Sequence, residues 1–205
     1  VFSNVAPMVS ARWQHLTGKG AYQVSGFATA SDRTTDLTGA ASFQRDPRGY
    51  LDANGRFRFS SDWSFSGSVR LASDRTFLRR YDISRDDRLR STVNLERITD
   101  RSYLSIAGWV TQTLRLNADQ GQVPLALPAI DFRQKIGDQV LGGNLMVQAN
   151  SLALLRNDGQ DTQRAFAGAQ WDMKRLTGLG QVVTLTGLVR GDVYNTSNSL
   201  ATTTL

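Results

Sequence analysis

The chain has 205 residues, no cysteine, one histidine and a formal net charge of +6. The lack of cysteine excludes a disulfide framework and thiolate metal sites within it, and no run of about 18 apolar residues could cross a membrane as a helix. The excess charge is mostly arginine and is dispersed, with no basic run or aromatic-rich basic motif to support nucleic-acid binding.

Residues 1–7 read as a lead-in and 8–16 as a short strand, followed by a turn at Gly18-Lys19-Gly20. Residues 21–31 alternate Tyr22, Val24, Gly26, Ala28 and Ala30 with Gln23, Ser25, Phe27 and Thr29, and 37–44 alternate in the same way. Asp46-Pro47-Arg48-Gly49 carries turn chemistry, with Pro suited to a type I or II turn and Gly free to take a positive φ. Leu51, Ala53, Gly55, Phe57 and Phe59 then alternate with Asp52, Asn54, Arg56 and Arg58.

Residues 62–74 give the clearest strand. Trp63, Phe65, Gly67, Val69 and Leu71 fall on one face, and Ser64, Ser66, Ser68, Arg70 and Ala72 on the other, because successive strand side chains point to opposite sides. A charged segment, 75–88, follows. Further alternating stretches begin at Leu89, Tyr103, Pro128, Leu141, Ala165 and Val183. No helical period persists.

The pattern predicts roughly eleven strands, many of about ten residues, the length a tilted strand needs to cross a bilayer. Short connections at 60–61, 99–100 and 137–138 alternate with long ones at 75–88, 116–127 and 156–161. Short turns on one rim and long loops on the other characterise an outer-membrane barrel, whereas a soluble sandwich has Greek-key crossings. The expected fold is all-β: an antiparallel up-and-down transmembrane β-barrel segment. Residues 1–205 are expected to form one incomplete piece of a larger barrel domain that continues at both ends.

On that reading Phe65, Val69, Leu71, Leu104, Ile106, Val110, Val183, Leu185 and Val189 face lipid. Arg56, Arg58, Arg70, Arg90, Arg133 and Arg190 share the opposite, lumen-facing surface with Ser, Thr, Asn and Gln. They form either a hydrated wall with local counter-ions or a surface that meets phosphorylated sugars, since arginine can bind phosphate through two parallel hydrogen bonds.

Nothing selects a catalytic residue, cofactor or metal. His15 has no nucleophile pattern beside it. Asp74, Asp82, Asp86 and Asp87 could suggest calcium, but each has an arginine within a few residues, which favours ion pairs. Gly18-x-Gly20 lacks the helix a phosphate loop needs. Pro124 and Pro128 mark either a loop end and strand start or a local defect in the sheet.

Asp62-Trp63, Ser73-Asp74, Phe77-Leu78 with Tyr81, and Leu127-Pro128-Ala129-Ile130 with Phe132 occur in an order that resembles the LPS-assembly outer-membrane family LptD, also called Imp/OstA or organic solvent tolerance proteins. The resemblance covers most of the chain as an internal barrel segment. It implies a non-enzymatic wall of a translocon that inserts lipopolysaccharide into the outer leaflet of a Gram-negative cell outer membrane. It also implies lipopolysaccharide, outer-membrane lipid, a plug lipoprotein and periplasmic bridge proteins as partners, with no nucleic acid. The alternatives from the residues alone are a soluble secreted β-sandwich that binds carbohydrate, or a small porin-like barrel.

Overall fold

The computed structural model describes residues 7–32 and 45–197, with the backbone alone at 32, 45, 46, 138 and 139. Ten antiparallel strands form one sheet in sequence order: β1 (Met8–Thr17), β2 (Gly20–Asp32), β3 (Arg45–Arg58), β4 (Trp63–Ala72), β5 (Arg88–Ile98), β6 (Ser102–Thr113), β7 (Leu125–Val140), β8 (Gly143–Leu155), β9 (Asp161–Leu176) and β10 (Val182–Ser197). Among the described residues the sheet is open, with β1 and β10 each paired on one side only. The strand expected over 37–44 lies outside the described residues.

The strands run from 10 to 16 residues, well beyond the five or six usual in soluble sheets. Their connections sort by rim. Thr17 to Gly20, Arg58 to Trp63, Ile98 to Ser102, Val140 to Gly143 and Leu176 to Val182 are joined by tight links on one side. On the other side lie the β4–β5 loop at 73–87, the β6–β7 loop at 114–124 and the shorter β8–β9 link at 156–160.

Three local expectations are corrected. Asp46-Pro47-Arg48-Gly49 is strand, not turn: Pro47 stands opposite Ala30, and Arg48 opposite Thr29. Register with β2 overrides the local turn chemistry there. Second, the β7–β8 turn lies at Leu141-Gly142, with φ of 51° and 76°, and Gly137 with φ 64° sits instead at a register shift between Ile136 and Val140. Two consecutive positive φ values suit the tight hairpin turn whose twist matches the flanking strands. Third, the charged segment after β4 contains a one-turn helix, α1 (Phe77–Arg80).

The sheet's buried hydrophobic cluster gathers at the long-loop rim. It holds Tyr50, Ala72, Phe77, Leu78, Leu89 and Leu114, with Met8, Phe27, Tyr81 and Ile83 packed around it. Phe77 and Leu78 are fully buried because the 73–87 loop folds back on the strands.

Candidate functional site

Pairing register assigns each strand residue to a face. Phe65 opposes Phe57 and Leu95, Val69 opposes Ala53, and Leu71 opposes Leu51. Through Leu95–Ile106 and Arg97–Leu104 the same face continues to Ile130 and Phe132, then to Ala149, Ala167 and Gly191. Val110, Val183, Leu185 and Val189 fall on it too. All nine candidate apolar residues therefore share one face. Val69, Leu71, Ile106, Val110, Val183, Leu185 and Val189 are exposed there.

The six candidate arginines share the other face. Arg56 opposes Ser66, Arg58 opposes Ser64, and Arg70 opposes Asp52. Arg90 opposes Thr111, Arg133 opposes Tyr103 and Gln148, and Arg190 opposes Gly168. Their settings differ. Arg70 Nη2 donates to Asp86 at 2.6 Å and its Nε to the Tyr50 hydroxyl at 2.9 Å. Arg133 pairs with Asp131 at 2.8 Å and Arg190 with Asp192 at 2.6 Å. Arg90 lies over the Trp109 ring at 4.8 Å. Arg56 and Arg58 are exposed and, among the described residues, have neither an acid nor a ring against them.

The same polar face carries a clamp that sequence reasoning missed. Arg48 is 2 % exposed and Asp74 is fully buried. Arg48 Nε donates to Asp74 Oδ2 and Nη2 to Oδ1, both at 2.7 Å. Such two-bond pairing is the strong form of a guanidinium–carboxylate contact. The Thr76 N–H and hydroxyl both donate to Asp74 Oδ1, and the Ser73 hydroxyl donates to Oδ2. Burial opposes ionisation of Asp74, but the hydrogen bonds from Arg48 and Thr76 outweigh it and hold the carboxyl below its usual range. Phe77 lies under the Arg48 guanidinium at 5.6 Å, and the Tyr81 hydroxyl donates to Ser31.

Two further ties hold the rim. Arg75 Nη1 donates to the carbonyls of Arg115 and Leu116. Arg115 Nε donates to Asp87, whose carboxyl this contact lowers. Asp86 is likewise lowered by the hydrogen bond from Arg70. Asp74, Asp86 and Asp87 are thus taken up in arginine pairs, and among the described residues no cluster of three metal-ligating side chains occurs.

At the same rim β4 and β5 part. Their ladder stops at Ser68–Thr92. Side chains replace it: the Arg70 N–H donates to Ser91 Oγ, the Ala72 N–H donates to Gln112 Oε1, and Gln112 Nε2 donates to the Ala72 carbonyl at 2.8 Å. A second break falls at Leu127-Pro128, where β7 shifts register against both neighbours between Ala126 and Ala129. The proline lacks an N–H for the ladder, which suits a bulge. Pro128 thus lies inside β7 at an irregularity rather than at a strand start.

Residues 46–205 match a family described as LptD, LPS transport system D. The chain belongs to the LptD family. LptD proteins are outer-membrane β-barrel components of LPS transport, a transport family and not an enzyme family. No curated protein matches the chain. In this LptD segment several of the residues that carried the resemblance build the long-loop rim: Ser73-Asp74 holds Arg48, Phe77-Leu78 fills the cluster, Tyr81 reaches Ser31, and Leu127-Pro128 makes the bulge, whereas Asp62-Trp63 lie at the tight-turn rim.

Proposed function

We propose that this chain is part of the wall of an outer-membrane translocon that inserts lipopolysaccharide into the outer leaflet of a Gram-negative cell. The observation that carries the reading is the placement of the packed core. The broad apolar face stays uncovered, while the only cluster of buried hydrophobics among the described residues lies under a loop tied to the polar face. A water-soluble sandwich buries its apolar face against a second sheet. A membrane barrel turns it to lipid and keeps a polar interior.

On this reading Phe65, Val69, Leu71, Leu104, Ile106, Val110, Val183, Leu185 and Val189 contact lipid. Arg56, Arg58, Arg70, Arg90, Arg133 and Arg190 line the passage taken by the hydrated saccharide. The open edges at β1 and β10 pair with further strands of a larger single barrel, because an unpaired edge is not tolerated in hydrocarbon. The tight-turn rim faces the periplasm, where bridge proteins would deliver substrate, and a plug lipoprotein would sit against the polar face.

Fractionation of cells that make the full-length protein tests the reading. The protein should stay with outer membranes through salt and carbonate washes and leave them only in detergent. Depleting it should leave newly made lipopolysaccharide unavailable to surface labelling. Release into buffer, or unchanged surface labelling, would overturn it.

A further inference from the structure

We propose that Lys19, Arg56 and Arg58 form an entry site for lipid-borne phosphate at the tight-turn rim of the polar face, an inference that rests on the transport reading above. Arg56 and Arg58 are two apart on β3 and so project from one face about 7 Å apart, a spacing that suits one bridging phosphate or two on neighbouring sugars. Lys19, in the β1–β2 turn, joins them because its carbonyl accepts the Arg58 N–H at 2.6 Å. The three cations line one shallow concavity of about 590 Å³ with Leu16, Ser60 and Ser61.

Among the described residues their side chains have no ion-pair or ring partner, which sets them apart. Arg70, Arg133 and Arg190 already hold carboxylates, and Arg90 covers a tryptophan ring. A phosphate arriving at those would have to displace an existing contact. Asp52, on the same face, accepts from the Tyr50 hydroxyl and lies 3.8 Å from Arg70. Among the described residues none of the three cations forms an ion pair, so together they give a local positive field that draws anions in, and the guanidiniums keep their donors for phosphate oxygens. Behind the site β2 lies so close to β3 that a Cβ on Gly20 would meet the Arg56 carbonyl oxygen.

The test uses full-length protein in detergent and three probes: fluorescent lipopolysaccharide with its phosphates, the same lipopolysaccharide enzymatically dephosphorylated, and inorganic pyrophosphate. The double variant R56Q/R58Q should bind the phosphorylated probe at least about tenfold more weakly, the loss expected for charge-assisted hydrogen bonds, and bind the dephosphorylated probe as the parent does. R85Q, in the exposed β4–β5 loop at the opposite rim, should bind both probes as the parent does. Unchanged binding by R56Q/R58Q, or equal loss for both forms, overturns the site while leaving the transport reading intact. Failure of the parent to bind either form overturns both. Pyrophosphate bound as tightly as the phosphorylated lipid would identify free phosphate as the ligand and overturn the lipid-borne assignment. Heat-modifiable migration in gels reports assembly of each variant. Should R56Q/R58Q fail to assemble, K19Q in the turn is read by the same criteria.

Discussion

The β2–β4 and β8–β10 regions are built from the same long alternating strands, yet they are held differently. Over β2–β4 the 73–87 loop folds onto the polar face and is fastened by buried side chains: Arg48 to Asp74, Tyr81 to Ser31, and Phe77 and Leu78 in the cluster. Over β8–β10 the backbone ladder does most of the work. β10 is exposed along its whole length, and its Arg190–Asp192 pair is open to solvent. The first region is finished by its own loop. On the proposed reading, the second gains its stabilising surface from lipid on one side and a neighbouring strand on its edge. A backbone ladder makes a wall wherever strands continue, whereas a buried ion pair fixes a loop at one place.

The largest expected effect comes from breaking the clamp. Asp74→Ala leaves a buried guanidinium without its carboxylate, which costs about 3–5 kcal/mol. Limited proteolysis should cut within 73–87 in the variant and spare it in the parent. Acid should do the same more gently. Asp74 has a folded-state pKa below its unfolded value, so its contribution is present above the unfolded pKa of about 3.9 and is lost as pH falls through the folded value. The loop should therefore become cleavable by an acid-active protease below about pH 4, while the amide protection of β8 and β9 persists.

Next in size are changes of face. Val69→Arg or Ile106→Arg should cost about 2–4 kcal/mol at the bilayer midplane and reduce the heat-modifiable, assembled form. Ser68→Arg and Thr111→Arg, on the opposite face, should assemble as the parent does. Equal damage on both faces would mean that both are covered by protein.

Gln112→Ala should cost less, about 1–3 kcal/mol for the buried Ala72 peptide left unsatisfied. Its readout is faster amide exchange at Ala72 with unchanged exchange in β9. Smallest of all is Arg190→Gln, which removes an exposed pair of a kind that adds little to stability. Its thermal unfolding should match the parent's. A marked loss there would abolish the contrast between the two regions.

The alternation of Trp63, Phe65, Val69 and Leu71 with Ser64, Ser66, Ser68 and Arg70 was legible because the period of two is a local property of every strand. The nine apolar and six arginine candidates follow from it, and register keeps them on separate faces. The clamp was not legible, since Arg48 and Asp74 are 26 positions apart and each reads locally as something else: Arg48 as a turn residue, Asp74 as a loop acid. The β7–β8 turn was misplaced for a different reason. Gly137 and Gly142 both take positive φ, but one makes a bulge and the other a turn, and Leu141 gives no Asn or Asp signal to tell them apart.

The even count of described strands has a consequence for how such a wall can change size. Met8 and Ser197 emerge on the same rim, so the sheet is five hairpins, each leaving and returning to the long-loop side. Duplicating or deleting a whole hairpin would keep every remaining strand's direction and every remaining residue's face. Losing a single strand would turn all later loops to the wrong side of the membrane. The hairpin, not the strand, is thus the smallest piece that this architecture can add or lose while keeping its sidedness.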